Sequence, residues 1–524
     1  MGLFIESGCV EILYASLLLF WITYVYFVKH YGYWEERNVP HVPAVFPFGS
    51  ISDIVLGKRY AGITLDDVYK EFKDERYVGY ISIRTPVILI RDPELIRLIL
   101  TKHFNNFTDH SEVSGHPKEH LMRNLYFLNG QEWRDMRMKI SPAYSAANIK
   151  MMFFLVKECS EVLRQMVEKY TTENDIVDTK DLLSRYTIDV IAICAFGIEA
   201  NSISNKDSEF YTVAKKCFEL DYFRLLKTFI HCSFPIFQKY HCFNILDSSI
   251  TKFFSIVVRS SVEFKEKNNI CKYDFLDLLV KLRQNQSILE EGERPVDLQD
   301  TLSPSRREGM TVEEISAEAF LFFVGAYEST SNTMMYCLYE LACNTRIQEK
   351  LYCEVVEVLD RHNNDISYQA LQEMSYMDQV INESLRHYPP FHSLTRKCTQ
   401  DYVVPNSNLV IEKGVELVIP LYSLHHDPKH FPDPFTFDPE RFNTEDGKKQ
   451  HPSVYLPFGE GPRMCLGQKY GLMNVKTALA TLITDYQFNI TPDTDVPIQF
   501  NSKTCSTVPS KPLMLIFTRR NAKA

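Results

Sequence analysis

One cysteine of this chain stands in a setting that suits a metal ligand. Cys465 lies in the stretch Phe458–Gly467 (FGEGPRMCLG), which holds three glycines and one proline in ten residues. That composition fits neither a regular helix nor a strand, so we expect a tight hairpin-like loop followed by an apolar helix that starts near Cys465. The positive helix end, the N–H groups that glycines leave exposed, and Arg463 two residues earlier would all favour a thiolate.

The same stretch permits three simpler interpretations: a buried structural cysteine, a phosphate-binding loop, or half of a zinc site. A phosphate loop requires lysine followed by serine or threonine, and Gly459 and Gly461 lack the third glycine of a dinucleotide-binding fingerprint. Zinc requires another cysteine or histidine two to four residues away, and the sequence has none there. Haem is then the simplest explanation, because its iron needs only one sulfur ligand from the protein.

The stretch closely resembles the signature of the cytochrome P450 superfamily, the haem-thiolate monooxygenases. It matches in the phenylalanine, the spaced glycines, the arginine, the cysteine and the final glycine, with Pro462 in a variable position. The resemblance implies that Cys465 ligates the iron of haem b (iron protoporphyrin IX). It also implies that Phe458 belongs to the cofactor-binding loop and that Arg463 reaches a haem propionate.

Two more sets of residues would serve the propionates if the resemblance holds. Trp133 and Arg137 are four residues apart at the start of a predicted helix, so they share a face. Without the resemblance, the pair is interpreted equally well as a surface aromatic residue and a solvated base. In the resembling family such a pair supplies hydrogen bonds to a propionate. Arg396, in a proline-containing stretch that is predicted to break a helix, is expected to reach a propionate as well.

A long helix is predicted to begin at a capping box of Thr311 and Glu314 and to run past Cys343. Near its middle lie Glu328, Ser329 and Thr330, which the resemblance makes the oxygen-binding groove and the catalytic residues. Ser329 replaces the usual threonine and so loses a methyl group and rotamer stiffness, from which we expect leaky coupling of electrons to product. Glu328 would connect the hydroxyl to solvent protons. The alternative is that these hydroxyls only cap backbone carbonyls.

Glu383 and Arg386 form, by default, an ordinary surface pair on one helix. The resemblance implies instead a buried structural triad with Arg441, which holds the core beside the haem without acting on substrate. His425, His426 and His430 look like a metal cluster, but Pro428 breaks any helix that would align the last two. We therefore interpret these histidines as structural or superficial.

Composition limits the function classes. The chain has 524 residues with no long linker or repeat, so one large catalytic domain is expected. A net charge of −10 argues against nucleic acid as the main partner. Thirteen cysteines without paired spacing indicate reduced thiols in a body that faces the cytosol.

The N-terminus contains an apolar run, residues 12–28, near the lower length limit for spanning a bilayer. A cleaved signal peptide is the alternative, but no basic segment precedes the run and no small-residue cleavage site follows it. We predict a membrane anchor over 1–30, a proline-rich elbow over 31–50 and a haem-thiolate catalytic domain over 51–524. The resemblance and the flanking charges imply a single-pass anchor in the endoplasmic reticulum membrane with the catalytic domain in the cytosol.

Between these motifs, residues 77–90 show the alternation of β-branched and aromatic residues that is typical of a strand. Segments near 402–404 and 417–419 are also strand-like. The loop 103–130 is expected to cover the substrate pocket, and aromatics between 218 and 229 either line that pocket or pack in the core. The charged stretch 287–309 is expected to be an exposed connection. The tail near 505–508 is expected to return a turn to the pocket.

The resemblance runs from the anchor to the C-terminus and is strongest to membrane-bound insect detoxification members. It implies a mostly α fold with a small β-rich side region, preceded by one transmembrane helix. It further implies a monooxygenase that inserts one oxygen atom from O2 into an apolar small molecule, either a xenobiotic or an endogenous lipid or hormone-like compound. Since the sequence has no flavin or nicotinamide motif, electrons would come from NADPH through a separate NADPH–cytochrome P450 reductase, with cytochrome b5 as a candidate second donor.

Two other function classes stay open from sequence alone. A haem-thiolate isomerase or dehydratase would rearrange peroxides without a reductase, although its relatives often lack the acid–alcohol pair that Glu328 and Ser329 provide here. A protein that binds haem or ligand without turnover is the third class, and NADPH-dependent product formation would eliminate it.

Overall fold

The computed structural model describes residues 2–110, 119–173, 176–218, 227, 229–230, 233–234, 236, 244, 246–268, 272–284, 309–443, 451–504 and 506–520. The predictions for residues 287–308 of the connection, for two of the four aromatics between 218 and 229, and for residue 505 lie outside the described residues.

Helices dominate the described chain. They are α1 (Gly2–Val28), α2 (Ser52–Val55), α3 (Ala61–Glu71), α4 (Pro93–Arg97), α5 (Gly130–Ile140), α6 (Ala146–Glu173), α7 (Thr179–Ile191), α8 (Glu209–Phe218), α9 (Ser248–Asn268), α10 (Phe275–Arg283), α11 (Val312–Cys343), α12 (Thr345–Arg361), α13 (Tyr368–Glu373), α14 (Ser375–His387), α15 (Leu421–His425) and α16 (Gln468–Asp485). Short 3-10 turns at Pro439–Phe442 and Gly461–Arg463 hold two of the predicted motifs.

The strands form a four-stranded sheet, a three-stranded sheet and a hairpin pair. They are β1 (Tyr77–Ser82), β2 (Thr85–Ile90), β3 (Ile176–Asp178), β4 (Leu394–Lys397), β5 (Tyr402–Val403), β6 (Val410–Ile411), β7 (Glu416–Ile419), β8 (Tyr486–Ile490) and β9 (Met514–Arg519). The larger sheet has the order β1-β2-β7-β4, with β2 and β7 parallel and the other pairs antiparallel. The predicted strands over 77–90 and near 402 and 417 are confirmed.

Two hydrophobic cores follow from this arrangement. The larger joins the apolar faces of α6, α7, α11 and α16, and the smaller lies under the four-stranded sheet. The mostly helical fold with a small β-rich region is confirmed. Because the helical core holds α11 and α16, it fixes the two elements that carry the predicted catalytic groove and the cysteine loop.

α11 begins as predicted. The Thr311 hydroxyl accepts a hydrogen bond from the Glu314 N–H at 3.1 Å, and the Glu314 carboxylate accepts from the Thr311 N–H at 2.9 Å. Met310 and Ile315 are buried on either side of this capping box. The helix has 32 residues, which at 1.5 Å per residue is about 48 Å. It is therefore long enough to cross the body.

The N-terminal helix is apolar and exposed. Its segment Val10–Val28 has 19 residues, a mean hydropathy of 1.7, and a length and composition that permit membrane crossing. Directly after it, Trp34 is only 1% exposed and donates its indole N–H to the Tyr80 carbonyl at 3.0 Å. A Cβ at Gly79 would lie 2.4 Å from the Trp34 ring, so glycine there is what admits the indole. The elbow thus packs into the smaller core.

Candidate active site

The cysteine loop is a tight turn built on left-handed glycines. Gly459 and Gly461 have φ of +71° and +75°, a region that favours glycine. The Cys465 N–H donates to the Phe458 carbonyl at 2.9 Å, which closes the loop, and the Phe458 side chain packs against the larger core. α16 begins at Gln468, three residues after the cysteine. The predicted loop and following helix are therefore confirmed.

Gly461 is the most constrained position of this loop. A Cβ there would lie 2.0 Å from the Leu100 carbonyl oxygen. We expect Gly461→Ala to move the loop and to strip most haem from the purified protein, at a cost of about 1–3 kcal/mol from backbone strain alone. Gly414→Ala is the matched control, because Gly414 also has a positive φ but nothing lies within 4 Å of its Cβ position. Haem-to-protein ratio and thermal midpoint are the measurements, and equal losses in both variants would contradict the role of the Leu100 contact.

Cys465 is accessible to solvent, yet protein surrounds its sulfur closely enough to affect its ionisation. Burial raises the pKa of the Cys465 thiol, while the Gly467 N–H, the Arg137 charge and the Gln468 N–H pull it down. Together these facts place the sulfur in the wall of an internal cleft. The nearby guanidinium is that of Arg137, whereas the sequence had suggested Arg463. Since a metal ligand must be deprotonated, a bound cation would complete the conversion to thiolate.

Arg463 instead points toward the loop that precedes α5. Its guanidinium donates to the Thr108 and Leu128 carbonyls at 2.6 Å each and lies 4.4 Å from the centre of the Trp133 ring. Trp133 is 3% exposed. On the same face of α5, Arg137 donates to the Met464 carbonyl at 2.9 Å. The cysteine loop and α5 are therefore joined by the residues predicted to bind propionates.

Arg396 completes a cluster of cations. It lies on β4, is 2% exposed, and donates to the Thr395 carbonyl at 2.8 Å, while its buried Nε has no hydrogen-bond partner. Burial lowers the pKa of Arg396 to about 10. Burial and then the charge of Arg396 lower the pKa of Arg463 to about 9.

None of the ion pairs among the described residues includes Arg137, Arg396 or Arg463, although the more distant Asp109 carboxylate raises the pKa of Arg463 in part. Arg396 is buried and Arg137 and Arg463 are half-buried. Cations withdrawn from water without an acidic partner are costly, so this cluster suits an anion that arrives with a ligand. The two propionates of haem match that need, and Cys465 supplies the iron ligand that haem requires. Cys465 and the three arginines are therefore chemically suited to bind haem.

The middle of α11 carries the predicted acid and hydroxyls. Gly325 is exposed and has nothing within 4 Å of its Cβ position, so a groove opens there. One turn later, the Ser329 hydroxyl donates to the Gly325 carbonyl at 2.6 Å. Thr330 is 4% exposed, and its hydroxyl lies 3.9 Å from the Cβ position of Gly471 on α16. The structure therefore places Ser329 beside the groove and turns Thr330 toward α16.

Glu328 has one hydrogen-bond partner and a cation in its neighbourhood. Its carboxylate accepts a hydrogen bond from the Ser506 hydroxyl, so the tail does return to this part of α11 as predicted. Lys180 of α7, which no sequence motif singled out, bonds to the Asn332 side chain and lies 3.4 Å from the Ser331 hydroxyl. Burial lowers the pKa of Lys180, and the Glu328 carboxylate opposes that shift. A cation therefore lies near the acid of the groove.

The three residues predicted as a structural triad come together. Glu383 and Arg386 are fully buried and make two hydrogen bonds, at 2.7 and 2.8 Å. Nε of Arg441 lies 3.3 Å from the Glu383 carboxylate, which also accepts the Asp438 N–H at 2.9 Å. The default interpretation as a surface pair is wrong, because the segment around Asp438 covers this face of α14.

The histidines near α15 are structural. His425 is fully buried and its Nε2 accepts the Leu456 N–H at 3.1 Å, while Nδ1 of His426 lies 2.8 Å from the Tyr422 carbonyl. The described part of the chain contains no group of three side chains that could hold a metal ion.

Comparisons with known proteins agree with this geometry. The family model described as Cytochrome P450 matches residues 64–517. The chain is 36% identical over 491 residues to a probable cytochrome P450 6a13 of Drosophila melanogaster, with 93% of this chain and 95% of the relative covered. It is 35% identical over 499 residues to cytochrome P450 6A1 of Musca domestica, covering 94% of both chains. It is also 32% identical over 513 residues to cytochrome P450 6k1 of Blattella germanica, covering 98% and 97%.

These relatives confirm the resemblance to insect members. Their alignments extend over nearly the whole chain, so the cysteine loop, α11 and α14 are all included in the likeness. The chain belongs to the cytochrome P450 family of haem-thiolate monooxygenases.

Proposed function

We propose that the chain is an NADPH-dependent monooxygenase with haem b, which inserts one oxygen atom from O2 into an apolar small molecule. The substrate would be a xenobiotic or an endogenous lipid or hormone-like compound. The observation that carries this proposal is the accessible Cys465 in a closed glycine loop, beside the buried Arg396 and the half-buried Arg137 and Arg463, which form no ion pair with a described carboxylate. Haem bound through that sulfur supplies O2 activation, and thiolate donation favours cleavage of the O–O bond.

The chain's own residues have separable tasks in this proposal. Trp133, Arg137, Arg396 and Arg463 orient the cofactor through its propionates. Ser329 holds a proton at Oγ beside the groove, in a bond to Gly325 that it can exchange for one to a ligand. Glu328 would return that proton from solvent, and the hydrogen bond that its carboxylate accepts from the Ser506 hydroxyl supports a fixed position for it.

The remaining partners follow from what the chain lacks and from its first helix. Because the sequence shows no flavin or nicotinamide motif, electrons would come from NADPH through a membrane-bound NADPH–cytochrome P450 reductase, with cytochrome b5 as a second donor. α1 would anchor the chain in the endoplasmic reticulum membrane, with residues 31–50 as an elbow and 51–524 as the catalytic domain in the cytosol. The 19-residue apolar segment Val10–Val28 supports that placement.

The test is a carbon monoxide difference spectrum of dithionite-reduced membranes that contain the protein. We expect a strongly red-shifted Soret band in the wild type and its complete loss in Cys465→Ser. Cys353→Ser is the matched control, because Cys353 is an exposed cysteine on α12. NADPH-dependent product formation with added reductase should parallel the band. Haem-loaded wild-type protein without the band, or turnover that does not require NADPH, would overturn the proposal.

A further inference from the structure

His110 belongs to the cation cluster although no sequence motif includes it. Asp109 pairs with Lys397 across an isolated antiparallel β-bridge, which brings the next residue, His110, beside β4. The His110 ring stacks on Tyr126 with centroids 4.5 Å apart and planes 23° apart. The Thr395 backbone is close enough to favour the protonated ring, and Nδ1 is buried and has no hydrogen-bond partner. The ring is thus fixed with one nitrogen unused.

The groups around this ring are charged but unbalanced. The guanidiniums of Arg396 and Arg463 act on it from β4 and from the cysteine loop. The neighbouring Asp109 carboxylate is engaged by the Thr108 hydroxyl and the Gly130 N–H, at 2.9 Å each. Burial, followed by the two arginine charges, lowers the pKa of His110 to about 2. Without a bound anion the imidazole is therefore neutral at pH 7, and its buried Nδ1 has no hydrogen-bond partner.

We propose that His110 is a further propionate-binding residue, and that it takes up a proton at Nδ1 when haem binds, which makes haem retention depend on pH. The proposal rests on the haem assignment made above. A ring between the Thr395 carbonyl and a propionate faces two acceptors, and only imidazolium donates at both nitrogens. The propionates also offset the charges of Arg396 and Arg463, so the repulsion that keeps the ring neutral is removed. The proton comes from solvent, and no bond to haem forms or breaks.

Linkage gives the expected size of the effect. If binding takes up one proton, haem affinity falls about tenfold for each unit of rising pH, up to the pKa of His110 in the haem-bound protein. Between pH 6 and pH 8 the arginines of the cluster stay charged and take up no proton, because the lowest of their pKa values is that of Arg463, about 9. The difference between the wild type and His110→Arg therefore isolates this one group, because every other titrating group is common to both proteins.

The experiment follows haem release from the full-length holoprotein in detergent to excess apomyoglobin, between pH 6 and pH 8. The ratio of the wild-type release rate to the His110→Arg rate should rise with pH, by up to about tenfold per unit. His110→Gln, which cannot be protonated, should give a profile parallel to that of His110→Arg and serves if the arginine variant does not fold. His362→Arg, a surface substitution at a histidine paired with Glu373, should behave like the wild type.

Each outcome decides a different question. Parallel pH profiles of the wild type and both His110 variants, in protein that shows the red-shifted carbon monoxide band, would overturn the role of His110 alone. Absence of the band in haem-loaded wild type would overturn the haem-thiolate assignment instead.

Discussion

A Glu383→Gln variant is expected to yield little or no folded, haem-loaded protein. The carboxylate of Glu383 compensates the guanidinium of Arg386, and both side chains are 0% exposed. Arg441 shares that carboxylate at 3.3 Å. Glutamine keeps the shape but leaves buried positive charge uncompensated, which costs about 3–5 kcal/mol. Such a loss removes much of the 5–15 kcal/mol that stabilises a typical folded domain.

The measurement is the haem-to-protein ratio together with urea unfolding of whatever soluble protein remains. Glu357→Gln is the matched control, because Glu357 also pairs with an arginine on its own helix, Arg361, but both side chains are more than half exposed. A surface pair of this kind contributes under about 1 kcal/mol. Equal effects of the two substitutions would show that burial of the Glu383 pair does not matter.

Three buried histidines, His387, His425 and His426, are expected to contribute a loss of stability as the pH falls below about 6.5. His387 and His426 are buried, and burial, with the Arg386 charge next in effect, lowers the pKa of His426 to about 3 and that of His387 to about 2. Burial also lowers the pKa of His425. In the unfolded chain each would titrate near 6.5, so below that pH the unfolded state binds more protons than the native state.

The sign and the size follow from that difference. The stability that depends on burying these histidines in their neutral form is fully present above about pH 6.5 and is lost as the pH falls toward about 3. Three such groups contribute up to about 4 kcal/mol per pH unit. The buried carboxyls of Glu318 and Glu340 oppose this slope, because burial raises their pKa values to about 8 and about 7 and they bind more protons in the native state. Urea unfolding at pH 7.5, 6.5 and 5.5 measures this slope. His426→Asn keeps a donor toward the Tyr422 carbonyl but cannot be protonated, so it should reduce the slope by about one proton. An unchanged slope would rule out His426 as one of the groups.

The features that the sequence predicted correctly are local ones. The capping box of Thr311 and Glu314, the glycine loop before Cys465, and Glu383 with Arg386 all involve residues within a few positions of one another. Their chemistry is set by chain neighbours, and the resemblance supplied the burial that spacing alone does not reveal. Arg463 shows the limit, because proximity along the chain suggested a contact with the sulfur that the 3-10 turn Gly461–Arg463 directs elsewhere.

The residues that sequence reasoning missed depend on distant pairing. Lys180 meets the hydroxyl of Ser331, 151 positions later, and nothing near Lys180 marks it as different from a solvated surface lysine. His110 reaches the cation cluster only because Asp109 pairs with Lys397 at the edge of β4. A histidine after an aspartate in a polar loop carries no signal of that pairing. Such contacts are set by sheet register, which a single sequence leaves undetermined.

The burial of Trp34 determines how the body can move relative to the first helix. Twenty extended residues could reach about 70 Å, enough slack for a tethered domain to swing freely. Here Trp34 lies in the smaller core, Arg37 pairs with Glu412 at 2.8 Å, and the Phe46 ring contacts Phe20 of α1. The elbow, residues 31–50, therefore does not act as a flexible tether. With α1 in a membrane, the body would turn about the membrane normal as one rigid piece with its helix, and an electron donor would have to diffuse in the bilayer plane to the cysteine side.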